Sequence, residues 1–388
     1  MGISKIKSFF ALLILIVVVS CGESKPEVKN EVAKKWYKGN LHTHSYWSDG
    51  DEFPEVILDW YKSNDYQFMA LSDHNTLAEG EKWVTIREDS MYQTAFQNYL
   101  QNYGPDWVEH KIDSGKTLVK LKTYAEYSQK VEEDGMFLVI QSEEITDKYE
   151  DKHIHMNATN VQKKIEPMGG TSISEVMQNN LNQVIKQRKE TGIPMIPHIN
   201  HPNFYYSISL DDMISLNGER FFEVYNGHHM VHNMGDSTHI STEEMWDLIN
   251  ISYIEKNKPL MYGLATDDSH NYHKKGNTWS NAGRGWVMVQ ADTLSAANLI
   301  KALEDGNFYS STGVELKKLE YDQNILSVEV EPENGIVYEI SFIGCKKGQS
   351  GTEELMVVND TQAQFELTDD ILFVRGKITS SKLQDNPI

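Results

Sequence analysis

The chain has 388 residues, 39% of them hydrophobic, which is enough for a large core and rules out wholesale disorder. Its formal net charge is −21. With no basic surplus to displace phosphate counterions, nucleic acid is not an expected partner.

Taken in order, Lys5 and Lys7 precede an apolar run over 9–19, well short of the roughly 20 residues a membrane-spanning helix needs. Such a segment reads as a leader (1–20) and not as part of the fold. It ends in Val18-Val19-Ser20-Cys21, which resembles the lipobox of bacterial lipoproteins. The resemblance implies a lipidated Cys21, a polar tether over 21–37 and a place on the bacterial cell envelope, with the membrane touched only through the acyl chains. With Cys21 lipidated, the remaining cysteine, Cys345, has no disulfide partner.

Beyond the tether, short apolar runs alternate with amphipathic stretches. Strands are predicted over 66–71 (YQFMAL), 136–140 (MFLVI), 194–197 (PMIP), 221–225 (FFEVY), 260–265 (LMYGLA) and 286–290 (WVMVQ). Helices are predicted over 54–63, 174–190, 242–256 and 294–305. The second is capped by Thr171 or Ser172 and stops at Thr191-Gly192. This alternation argues for an α/β fold, a parallel sheet or a barrel. Residues 83–131 break the rhythm and read as a mostly helical, aromatic-rich insertion near the barrel mouth. From about Glu315 the pattern turns to period two with an Asn334-Gly335 turn, so 314–388 is expected to be a small antiparallel β unit behind a domain over 38–313.

Potential metal ligands gather where the apolar runs end. His42 and His44, two apart in NLHTHSYWSDG, would project to one face of an extended strand. Asp73-His74 follows YQFMALS, Glu143-Glu144 follows MFLVIQS with His155 close behind, His198 and His201 follow PMIP, and Asp267-Asp268-Ser269-His270 follows LMYGLAT. Barrel enzymes place catalytic residues at such strand ends. Imidazoles mixed with carboxylates, without cysteine, suit zinc, manganese or iron. A carboxylate shared by two ions builds a hydrolytic site that needs no protein nucleophile.

In this order HTHSYWSDG, LSDHN, SEEIT, NHPN and TDDSH resemble the successive motifs of the PHP family (polymerase and histidinol phosphatase domain). The run GRGWVMVQADTLSAANLIKALEDGNFYSSTG resembles its carbaryl-hydrolase-like branch. The resemblance spans about 38–313 and implies a distorted (β/α)7 TIM-like barrel holding two or three divalent ions. It implies one ion on His42, His44 and Asp268, with Glu144 bridging to a second on His155 and His201. Asp49, His74 and His270 would form a third site, and a hydroxide between the ions would be the nucleophile. Glu144, Asp268 and His270 are thereby the catalytic candidates. Glu143 stays a rival to Glu144, Asp267 to Asp268 and His153 to His155, while Asp73, His198 and Asp267 are candidates to orient the ligands. Arg284, Asn226 and His228 are the candidates for substrate contact, a solvated loop or a structural pairing being the plainer alternative. The expected activity is hydrolysis of a small ester, phosphorylated in the first reading, and a carboxyl or carbamate ester in the second. A metal-containing surface binding protein is the third.

Overall fold

The structure, a computed structural model, describes residues 34–383. The leader, Cys21 and most of the tether lie outside the described residues. The first strand, β1 (Lys35–Asn40), leads to α1 (Pro54–Ser63) and the short β2 (Phe68–Met69). Proline starts α1 well, because the first helical N–H has no partner to lose.

The insertion folds as β3 (Trp83–Thr85), α2 (Ser90–Tyr103), β4 (His110–Asp113), β5 (Lys116–Lys120) and α3 (Tyr124–Val131). Helix outweighs strand here, as expected, but β3, β5 and β4 add a three-stranded antiparallel sheet that the pattern did not show. Ser114 and Gly115, both at positive φ, close its hairpin. The aromatics turn inward, with Tyr92, Phe96 and Tyr99 buried and the Tyr99 ring stacked 4.0 Å from that of Phe53.

Next come β6 (Leu138–Val139), β7 (Ser142–Tyr149), β8 (Lys152–Thr159), α4 (Ile173–Thr191), β9 (Ile196–Ile199), α5 (Leu210–Ser215), β10 (Phe221–Asn226), α6 (Thr242–Glu255), β11 (Tyr262–Thr266), β12 (Trp286–Ala291), α7 (Ala296–Glu304) and β13 (Phe308–Ser311). Helix α4 begins where the Ser172 side chain accepts the Glu175 N–H, and it ends on Gly192 in the left-handed conformation. Its Val176, Met177, Leu181 and Val184 are fully buried with Met156, Ala158 and Ile199 in one cluster. Each such side chain contributes about 1.5–3 kcal/mol of transfer free energy.

The strands form two five-stranded sheets, ordered β13-β12-β1-β2-β6 and β11-β10-β9-β8-β7. Pairing is parallel along β1-β2-β6 and β9-β10-β11, and antiparallel along β7-β8-β9 and at β12. The fold is thus mixed α/β, and neither sheet closes on itself. The sheets meet through two isolated parallel bridges, Thr43–Ser269 and His74–Glu144. Both fall on the segments rich in histidine and acid.

Residues 316–380 hold β14 (Leu316–Asp322), β15 (Ile325–Val330), β16 (Tyr338–Lys346), β17 (Glu353–Val358), β18 (Gln362–Glu366) and β19 (Ile371–Ser380), in two antiparallel sheets of three strands. The Asn334-Gly335 turn joins strands of different sheets. The tight hairpin is at Gln323-Asn324, both at positive φ. Arg375 of β19 reaches Asp247 and Glu243 of α6, at 2.7 and 2.9 Å. No helix among the described residues is long and apolar enough to cross a membrane.

Candidate metal centre

Glu144 lies on β7, opposite Asn157 of β8, and its carboxylate is fully buried. Around it stand His74 Nδ1 at 2.7 Å, His155 Nδ1 at 3.0 Å, His44 Nε2 at 3.4 Å, His42 Nε2 at 3.5 Å and His201 Nε2 at 3.6 Å. Asp268 joins from the end of β11, its Oδ1 at 3.3 Å from His42 Nε2 and 3.2 Å from His44 Nε2. Asp268 sits at φ 47°, a conformation a non-glycine residue adopts at a cost, and its N–H donates to the His42 carbonyl. Farther out, the half-exposed Asp49 lies 3.3 Å from His270, 3.5 Å from His74 and 3.8 Å from His44.

The donor atoms fall into four tight groups: His42–His44–Asp268, His74–Glu144–His155, His44–Asp49–His74–His270 and His42–His198–Glu223. All nine residues expected from the sequence to bind metal are thus brought into one region. The grouping differs from the expected one: His74, and not His201, completes the tight set with Glu144 and His155, since β7 carries Glu144 up to the His74 bridge, His44 also joins the outer set, and His42–His198–Glu223 is a group the motifs did not imply.

Burial alone would push Glu144 up, but His74, His155 and His42 hold it well below the ordinary carboxylate range. Asp268 is held down in the same way, chiefly by His42, His44 and His270. His74 is raised to about 11, its burial outweighed by Glu144 and Asp49. His44 goes the other way, down to about 4, because it is buried and faces His270 and His74. Protons on some imidazoles therefore balance the clustered carboxylates.

The rival residues make other contacts. Glu143 points to the other face of β7 and accepts the Ile165 N–H, buried and pushed up to about 8 by that burial. Asp267 takes the N–H groups of Gly283, Arg284 and Gly285 and the Tyr61 hydroxyl, so it shapes a loop. Asp73 does the same for the first motif, accepting from the Ser45 N–H and from the Ser45 and Ser48 hydroxyls. His153 is exposed, beside Tyr205.

Two candidates for substrate contact need correction. Arg284 is 1% exposed, and its guanidinium donates to the carbonyls of Gly227, Trp279 and Gly276. Asn226 is fully buried, donating to Glu223 and Asp268 while its oxygen accepts the His228 N–H. The His228 ring lies 5.3 Å from that of His270, and burial lowers it to about 3, so it is neutral. The Phe204 ring lies 5.6 Å from it and packs in turn against Tyr205.

Sequence reasoning missed Asn200, which donates to Glu144 Oε1 at 2.7 Å, and Glu223. Glu223 had a legible signal: an acid inside the apolar run FFEVY of a strand must be buried and must therefore be paired.

The residues fit divalent ions. Glu144 Oε2 and His155 Nδ1 are buried without a hydrogen bond of good geometry, although neighbours stand within 3.0 Å. Ligands about 2.1 Å from one tetrahedral centre stand about 3.4 Å from each other. The nitrogen–oxygen separations of 3.2–3.6 Å around Glu144 and Asp268 match that spacing.

No family model matches the chain, and no curated protein matches it. Among solved structures it is similar to a two-domain protein from Bacteroides vulgatus containing a predicted PHP-like metal-dependent phosphoesterase, at 12% identity over 91% of this chain and 88% of that one, TM-score 0.39. A putative metal-dependent phosphoesterase from Bifidobacterium adolescentis is similar at 12% identity over 61% and 88%, TM-score 0.31. An amidohydrolase from Chromobacterium violaceum is similar at 11% identity over 70% and 97%, TM-score 0.30.

Proposed function

We propose that the protein is an exported, lipid-anchored, metal-dependent hydrolase of the PHP type that cleaves small phosphoesters, mono- or diesters. One observation carries the reading: five imidazole nitrogens surround the single buried carboxylate of Glu144 within 3.6 Å. A carboxylate ringed by that many ligand atoms is suited to being shared between cations. The fold that goes with it is a distorted (β/α)7 barrel. Its support is the parallel pairing along β1-β2-β6 and β9-β10-β11, with the two isolated bridges Thr43–Ser269 and His74–Glu144 linking the two sheets just beyond the ends of β1, β2 and β11.

Two or three divalent ions (zinc, manganese or iron) would supply Lewis acidity and an activated water when bound. His42, His44 and Asp268 would hold one ion and Glu144 with His155 and His74 the next, with His201 close by. Asp49 and His270 close the outer one. Glu144, Asp268 and His270 would be the catalytic groups of this centre. His228 accepts the Met230 N–H on Nδ1, so its remaining proton sits on Nε2, where it can be donated in a hydrogen bond to a substrate oxygen.

A second reading, a carboxyl or carbamate ester hydrolase, is favoured by the Arg284 contacts: the guanidinium nominated for a phosphate is occupied by backbone carbonyls. Hydrolysis of p-nitrophenyl phosphate, bis-p-nitrophenyl phosphate and p-nitrophenyl acetate, with manganese or zinc restored after chelation, separates the two. Cleavage of either phosphate supports the first reading. Cleavage of acetate alone supports the second, and bound metal without any turnover supports a surface binding protein.

A further inference from the structure

Glu223 sits on β10 with none of its surface exposed. Its Oε1 accepts from His42 Nδ1 at 2.6 Å and from the Thr266 hydroxyl at 2.7 Å. Its Oε2 accepts the His201 N–H at 2.9 Å and Asn226 Nδ2 at 2.7 Å. Four donors fill the strong acceptor positions of one carboxylate, which leaves little for an ion. The group His42–His198–Glu223 is for that reason better read as a brace than as a further metal site.

The brace reaches several ligands at once. Holding a proton on His42 Nδ1 leaves Nε2 as the atom facing Asp268 and Glu144. The bond to the His201 N–H fixes a residue whose φ is 24°. Asn226, held by Glu223, passes its second N–H to Asp268 Oδ2 at 3.1 Å. None of these contacts touches Asp49, His74 or His270.

We infer that Glu223 is a positioning residue that sets the ion affinity of the inner His42–His44–Asp268 group while leaving the outer Asp49–His74–His270 group untouched. The inference rests on the metallohydrolase reading above, because it presumes that both groups bind ions. It assigns the carboxylate of β10 a share in the chemistry through His42, His201 and Asp268, without contact to substrate.

The test is calorimetric titration of manganese or zinc into the chelated full-length protein, comparing wild type, Glu223→Gln, Thr266→Val and Asp49→Asn. Asp49→Asn identifies the outer class of ion by weakening it. Glu223→Gln should weaken the inner class about 10- to 100-fold, the usual effect of losing a partner behind a metal ligand, and leave the outer class as it was. Thr266→Val keeps the carboxylate and removes one of its bonds, so it should weaken the inner class about 2- to 10-fold. It also serves if Glu223→Gln does not fold. Nitrogen-15 NMR of His42 in the loaded protein should show Nδ1 protonated in wild type, with that signal shifted in the variants. Unchanged inner affinity, or an equal loss in both classes with a lower melting temperature of the metal-free protein, would overturn the assignment. A wild type that binds no ion would instead sink the metallohydrolase reading.

Discussion

The Nδ1 atom of His74 lies 2.7 Å from Oε2 of Glu144, and the backbones of the same two residues form one of the two bridges that join the sheets. One of the contacts that tie the sheets together is thus also a contact of the candidate metal centre. In the metal-free protein it is a charged pair, with His74 raised to about 11 and Glu144 held low.

Ion binding must displace that proton, because a protonated imidazole has no lone pair to give. Metal affinity should therefore rise with pH across the neutral and mildly alkaline range, and binding should release protons. Calorimetry in two buffers of different ionisation enthalpy measures the release directly. Affinity that is flat from pH 6 to 9 would contradict this arrangement.

Glu143 and Glu144 are neighbours in sequence with opposite electrostatics, so the same substitution should act differently on them. The carboxyl of Glu143, buried on the far face of β7, has a folded pKa of about 8 against an ordinary 4.5. Its contribution to stability is whole below the unfolded value and is lost as pH rises through about 8. Glu143→Gln should thus raise the melting temperature at pH 9 by roughly 2–4 °C, change little at pH 5 and leave metal content intact. A loss of metal would reopen the choice of bridging acid.

Arg284 is expected to matter for folding rather than for substrate affinity. Lysine cannot reach the carbonyls of Gly227, Trp279 and Gly276 together, so Arg284→Lys should cost about 2–4 kcal/mol in denaturant unfolding. The KM of a phosphoester should stay within a factor of about two. A weakened KM at unchanged stability would restore Arg284 as a phosphate ligand.

Cys21→Ala tests the anchor. The variant should move from the membrane fraction to the soluble fraction of the envelope, and continued sedimentation with membranes would exclude lipidation as the means of attachment.

Much of this architecture was legible in the residues themselves. Helix α1 has the predicted bounds of 54–63 and α4 begins and ends on the predicted caps, because proline, serine and glycine act locally. The histidine pair of the first motif and the acids at the strand ends could be read for the same reason. The β7–β8 hairpin could not: EEITDKYEDKHIHM is too charged to show a strand, since one face holds the centre and the other buries Glu143. The grouping of His74 with Glu144 depends on a bridge between distant segments, which no local pattern records. Arg284 was misread because GRG looks like an anion site until the surrounding carbonyls are in place.

The most direct measurement is metal content by mass spectrometry together with p-nitrophenyl phosphate turnover, for wild type and Glu144→Gln, after chelation and restoration of manganese or zinc. If Glu144 is shared between ions, wild type will hold two or three per chain and turn over. Glu144→Gln will lose at least one ion and its activity while still unfolding cooperatively. A Glu144→Gln protein with a full complement of metal and an unchanged rate would contradict a centre built around that carboxylate.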